Sequence, residues 1–175
     1  MKRILTLICC FELCSICGLA QKKSAQPAMS DQQFVNFAGQ ADMVDANLGQ
    51  LARTATPSGN IKDYAQKLVT DQTNDFHDLA QAAHKSSLSI PSAIDKEHDK
   101  SIIDPFQKLR GDAFNRRFVE EMIEGDTRAI DIYKKEATHA QAASLRSYAS
   151  EALPILQSDL TEAKKMETTT VAKKG

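Results

Sequence analysis

Beyond Cys17 the chain contains no cysteine, and its four cysteines, Cys9, Cys10, Cys14 and Cys17, crowd together near the N-terminus. That distribution excludes a disulfide framework, thiolate metal ligation and cysteine nucleophiles from everything downstream. No apolar run reaches the ~20 residues that a membrane-spanning helix needs. Gly-rich phosphate loops, a nucleophile elbow and a His-Glu-x-x-His element are all missing, so no catalytic motif argues for an enzyme or an organic cofactor. Alternation of apolar and polar residues is never sustained long enough to suggest a sheet. Neither sign of charge dominates, with 22 basic against 23 acidic residues. Basic pairs such as Arg116-Arg117 and Lys134-Lys135 are scattered among acids, without the basic patch and stacking aromatics that nucleic-acid binding requires.

What is present begins with a basic Met1-Lys2-Arg3, an apolar stretch from Ile4 to Cys17 broken by Thr6, Glu12 and Ser15, and then Gly18-Leu19-Ala20. Small residues three before and one before a cut after Ala20 are what a signal peptidase needs. Residues 1–20 therefore read as a secretory signal peptide, and the chain as periplasmic or secreted, without an integral span. Lipidation is the alternative fate, and Cys10 is its least unsuitable position. Cleavage would leave 20 basic and 22 acidic residues, a formal charge of −2, from which no electrostatic partner follows.

Residues 21–29 and 167–175 are polar, and both read as disordered tails around a single domain at 30–166. Helical periodicity fills that domain. Ser30-Asp31-Gln32-Gln33 forms a capping box, followed by Phe34, Phe37, Ala41, Val44, Leu48 and Leu51 on one stripe. Thr56-Pro57-Ser58-Gly59-Asn60 breaks the chain. A second helix carries Ile61, Ala65, Leu68, Gln72, Leu79 and Ala83, and Leu88 to Ile94 is a loop. A short third helix carries Ile102, Ile103, Phe106 and Leu109. Gly111-Asp112 opens a long fourth, with Phe114, Phe118, Met122, Asp126, Ala129, Tyr133, Ala137 and Ala140 in phase. The fifth shows Leu145, Ala149, Ala152, Leu156, Asp159 and Ala163, with a kink or restart predicted near Leu153 because Pro154 follows it. The pattern predicts an all-α protein, an antiparallel four-helix bundle with one extra short helix.

Several segments carry a resemblance to a known family: Asp31-Gln32-Gln33-Phe34-Val35, Leu48-Gly49-Gln50-Leu51-Ala52, Leu68-Val69-Thr70-Asp71-Gln72 and Leu153-Pro154-Ile155-Leu156. The most specific is Phe114-Asn115-Arg116-Arg117-Phe118-Val119-Glu120-Glu121-Met122-Ile123. From about Asp31 to Met166 the chain resembles a bacterial family of exported ferritin-like helical proteins, domain of unknown function 4142, often labelled predicted outer-membrane proteins. The resemblance implies a ferritin-like bundle and export, and no established reaction. An outer-membrane barrel would need repeated alternating strands of ~10 residues, which this chain lacks. The family usually places histidines where this chain has Gln72, Asp126 and Asp159.

Those three residues fall in phase with the apolar stripes of their own helices, so three helices aim a polar side chain inward. Inward carboxylates lose hydration and repel one another, so the core must supply a cation, a basic group, water or a shared proton. Gln72, Asp126 and Asp159 are the candidate metal ligands, with Asp71 and Glu121 as possible additions. The bland alternative is a structural polar layer that fixes register. Glu136-Ala137-Thr138-His139 matches one Glu-x-x-His element of di-iron bundles, but such a centre needs two copies. His77 and His84, about 10.5 Å apart along a helix, cannot share an ion. His98 reads as part of a solvated helix start. The sequence thus points to a non-enzymatic exported bundle, a binding or envelope-associated module for a protein or small ligand. Its rival is a ferritin-like metalloprotein with a divalent ion at a carboxylate layer.

Overall fold

A computed structural model describes residues 29–56 and 59–172, with side chains through residue 168. The predicted leader at residues 1–20 lies outside the described residues. Among those described the protein is all helical, in the order α1 (Asp31–Ala55), α2 (Asn60–Lys85), α3 (Lys96–His98), a π-helical turn (Asp99–Ile103), α4 (Asp104–Phe106), α5 (Gly111–His139) and α6 (Ala143–Ala172).

Local chemistry sets the ends. Ser30 accepts from the Gln33 amide while the Gln33 side chain accepts from the Ser30 amide, closing the expected capping box at α1. Gly59 precedes α2 with φ +102°, a left-handed conformation that glycine adopts without steric penalty. Asp95 caps the amides of Glu97 and His98. Asp31 reaches across the bundle and accepts from the Gln141 and Ala142 amides, at 2.8 and 2.7 Å, so α1 also caps the turn between α5 and α6.

Cross-helix contacts give the direction of each long helix. Gly39 meets Leu79 and Gly49 meets Val69, so α1 and α2 are antiparallel. The Phe34 and Tyr133 rings lie 5.1 Å apart at one end of the α1–α5 pair, and Thr56 donates to Asn115 at the other. Lys67 with Asp159, Asp75 with Tyr148 and Ala82 with Ser144 order α2 against α6 in the same antiparallel sense. Helices α2 and α5 therefore run the same way, and residues 86–110 return the length of the bundle between them. Two α1 glutamines pin that crossover. The Gln32 side chain exchanges hydrogen bonds with the Ser89 backbone, and Gln40 bonds the Ala93 carbonyl and the Asp95 amide.

The second, fourth and fifth predicted stripes pack largely as read: Leu68, Leu79, Phe114, Phe118, Tyr133, Leu145 and Ala149 are all buried. Three expectations need correction. The buried face of α1 is wider than its predicted stripe, since Phe37, Ala41 and Leu51 are only half-buried while Val35, Ala38, Asp42, Gly49 and Ala52 are buried. This helix packs against α2, α5 and the crossover together, so one narrow stripe cannot cover it. Helix α6 continues through Pro154 without a restart. It also runs to Ala172, past the predicted end at Met166, because no glycine or proline interrupts Glu167 to Ala172.

The apolar core divides in two. One cluster gathers Leu48, Leu68, Phe106, Phe114, Phe118 and Met122, the other Phe34, Leu79, Tyr133, Leu145, Tyr148 and Leu156. Between them lies a layer that is not apolar.

A buried acidic chamber

Each long helix delivers acid or amide side chains to that layer. Helix α1 contributes Asp42 and Asp45, α2 contributes Gln72 and Asp75, α5 contributes Glu121 and Asp126, and α6 contributes Asp159. Gln72, Asp126 and Asp159 are 5 %, 3 % and 1 % exposed, so all three predicted residues do point inward. Asp42 is equally buried, at 3 %. Asp45 is half-buried.

A cavity of about 50 Å³ opens in the layer, walled by Asp42, Asp45, Gln72, Glu121 and Asp126. Half-buried His98 and exposed Arg128 line its solvent side, so the crossover helps close the chamber. The sequence reading of His98 as a solvated helix start misses this position, although its ring nitrogen does pair with Asp95 at 2.9 Å.

The predicted ligands divide into two groups. Gln72, Glu121 and Asp126 share the cavity wall. Asp159 lies on the α2 side, where its Oδ1 accepts from the Lys67 ammonium at 2.7 Å. Asp71 is drawn outward by the same ammonium, also at 2.7 Å, and does not join the chamber. Arg117 holds one Glu121 oxygen at 2.7 Å. Asp126 Oδ2, Asp42 Oδ2 and Asp159 Oδ2 are buried without hydrogen-bond partners. Among the described residues, no three His, Cys, Asp or Glu side chains gather closely enough to hold an ion together.

Electrostatics follow from this crowding. Burial, then the charges of Asp45 and Asp159, push the Asp126 carboxyl up to about 8, against a smaller pull from Lys67. Burial, Glu121 and Asp159 raise Asp45 to about 7, with Arg128 opposing. Asp42 is raised well above the usual carboxylate range by burial and by Asp75 and Asp45. Asp75 is raised too, chiefly by burial, while a hydrogen bond from Tyr148 lowers it. Burial works against the Lys67 charge, yet its hydrogen bonds to Asp159 and Asp71 leave it above its ordinary value. A hydrogen-bonded series leads from the layer into the second apolar cluster. Asp42 bonds Asp75, Tyr148 donates to Asp75 at 2.7 Å, and the Tyr133 and Tyr148 hydroxyls lie 2.9 Å apart.

Sequence reasoning missed Asp42, Asp45 and Asp75. A signal for the first two exists: Val35, Ala38, Asp42, Asp45, Gly49 and Ala52 are spaced three, four, three, four, three, a second stripe beside the one chosen. Asp75 fills the gap the α2 stripe leaves between Gln72 and Leu79, three residues after the first and four before the second, and was passed over. The Glu-x-x-His match does not assemble, because Glu136 is buried at the far end of α5 and His139 is exposed.

Fold and chamber together define a helical-bundle domain with a buried acidic layer. Residues 18–166 match the family described as domain of unknown function (DUF4142), and the chain belongs to it. No curated protein and no solved structure matches the chain. Among the described residues, no helix is long and apolar enough to cross a membrane.

Proposed function

We propose that the protein is an exported, non-enzymatic binding module, and that the acidic chamber is its binding site. The leader-like segment at residues 1–20 supports export to the periplasm or beyond. The up, down, down, up order of the long helices, joined by one long crossover, supports a ferritin-like four-helix arrangement, since that connection distinguishes ferritin-like bundles from simple up-and-down ones.

One observation carries the functional reading: a cavity onto which Asp42, Asp45, Gln72, Glu121 and Asp126 open among apolar side chains, with the buried Asp126 Oδ2 lacking a protein partner. A layer kept only for packing would be filled by apolar side chains or closed by mutual hydrogen bonds. Unpartnered buried acid costs stability, and features retained at that cost cluster at functional sites.

The competing reading, a structural polar layer that fixes register, draws on Lys67–Asp159 and Arg117–Glu121, which are properly paired. It does not account for Asp126. Replacement of Asp126 by leucine separates the two. A binding chamber predicts a variant stabilised by about 1–4 kcal/mol in urea unfolding at pH 7, the range found when buried ionic groups give way to apolar ones. A register-fixing layer predicts a destabilised or heterogeneous bundle, and that result would overturn the proposal.

A further inference from the structure

We propose that the ligand of the chamber is a single hard divalent cation of the magnesium or manganese type, held by Asp45, Asp126 and the Gln72 amide oxygen, with water completing its shell. This rests on the reading of the chamber as a binding site and names what it binds.

Charge comes first. Six carboxyl groups meet in the layer, from Asp42, Asp45, Asp75, Glu121, Asp126 and Asp159, and the nearby protein cations are Lys67, Arg117 and Arg128. Two of those cations are committed, Lys67 to Asp159 and Asp71, and Arg117 to Glu121. Asp42 is engaged with Asp75. The acids left without a paired cation are therefore Asp45 and Asp126, which interact with each other and line the same cavity. Asp126 is 3 % exposed, with Oδ2 lacking any partner, and so supplies a ligand atom with nothing else to bind.

Donor chemistry then narrows the ion. The inward acid and amide donors are oxygen, the His98 imidazole at the solvent side is engaged through Nδ1 by Asp95, and the chain beyond Cys17 has no thiolate to offer. Oxygen sites suit magnesium, calcium and manganese, whereas zinc and copper seek nitrogen and sulfur. Two carboxyls and one amide supply few of the six to eight oxygens that calcium takes from carboxylates, carbonyls and water. Magnesium-type ions keep several waters and bind through one or two carboxylates, which matches the set here. The cavity volume agrees. One water needs roughly 10–15 Å³ of such space, so about 50 Å³ admits an ion with a few waters.

Asp159, placed among the ligands by its stripe alone, falls outside the site because it does not line the cavity and its Oδ1 accepts from Lys67.

Manganese electron paramagnetic resonance on the purified full chain, after chelator treatment, tests the inference. The expected result is one Mn²⁺ bound per chain and displaced by excess Mg²⁺, with affinity reduced at least tenfold in both Asp45→Asn and Asp126→Asn. Asp159→Asn should change it less than threefold. Circular dichroism establishes that each variant is folded. Should Asp126→Asn fail to fold, half-buried Asp45→Asn still decides the matter. No binding at millimolar Mn²⁺, or binding that survives both substitutions, overturns the inference. If Mn²⁺ does not bind while Asp126→Leu is stabilised, the cation fails and the chamber reading stands. If Asp126→Leu is destabilised, the chamber reading itself fails.

Discussion

Tyr148 shows how a single hydroxyl can tie the acidic layer to the apolar core. It donates to Asp75 at 2.7 Å and lies 2.9 Å from the Tyr133 hydroxyl, with both rings packed near Phe34. Removing that hydroxyl leaves the Asp75 carboxyl and the Tyr133 hydroxyl each short of a partner. Tyr148→Phe should therefore cost about 1–3 kcal/mol in urea unfolding, the penalty for orphaned buried polar groups. A loss below ~0.5 kcal/mol would show that neither bond matters to the fold. At this scale half of the layer was legible. Gln72, Asp126 and Asp159 could be read because each interrupts an otherwise apolar stripe in phase. Asp42 and Asp45 escaped because α1 carries two overlapping stripes, and Phe37 and Leu51 made the wrong one look richer. The split between chamber and Lys67 side was illegible, since it depends on a contact between α2 and α6 that spacing along one helix cannot reveal.

Helix pairs owe their close approach to small residues. A Cβ placed on Gly49 would lie 2.8 Å from Val69 Cγ2 and 3.1 Å from the Ala65 carbonyl oxygen. The backbone oxygen cannot swing aside as a side chain can, so Gly49→Ala should push α1 from α2. The expected destabilisation is about 1–3 kcal/mol, the usual cost of overpacking, despite alanine's better helix propensity. Unchanged or increased stability in thermal melts would contradict this packing. Gly125, by contrast, has open space around its Cα. Gly125→Ala should stabilise α5 by up to about 1 kcal/mol, and a loss on that scale would count against open space at Gly125, which lies on the chamber wall.

Most elements were readable because their stripes, caps and breakers agree. Ser30 to Gln33 announced the start of α1, and the interval around Gly59 its separation from α2. Pro154 does not restart the helix: it removes one helical hydrogen bond and crowds the preceding turn, but the packing of Leu145, Ala149, Ala152, Leu156 and Ala163 on one buried side holds α6 together. The C-terminal threonines misled in the opposite direction, because polar composition does not end a helix that lacks a breaker. The course of the crossover could not be read at all. Its direction is set by Gln32 and Gln40 gripping residues more than fifty positions away, an association with no local signature.

Across the whole molecule, two apolar clusters supply the stability that an acidic middle layer works against. Asp126, with its carboxyl raised from 3.8 to about 8 by burial and by neighbouring acids, holds a proton in the folded chain that the unfolded chain releases. At about 1.4 kcal/mol per pH unit, that difference costs on the order of 4 kcal/mol at pH 7. Asp45, raised to about 7, works in the same direction. The sign is fixed: folded pKa values above unfolded ones mean that stability is fullest near pH 4 and is lost as pH rises through 7 to 8. Acid should favour this fold over that range. Asp95, whose carboxyl is lowered chiefly by its hydrogen bond from the His98 amide, is fully exposed and offers little counterweight.

The middle layer carries unpartnered acid at a cost to the fold. Urea unfolding of the chelator-treated chain at pH 5, 6, 7 and 8, with Asp126→Asn beside the wild type, measures that cost directly. The account predicts wild-type stability falling by at least about 1 kcal/mol per pH unit between pH 5 and 7, with a shallower fall in Asp126→Asn. Stability that is flat or rising over this interval, or identical slopes in the two proteins, would contradict it.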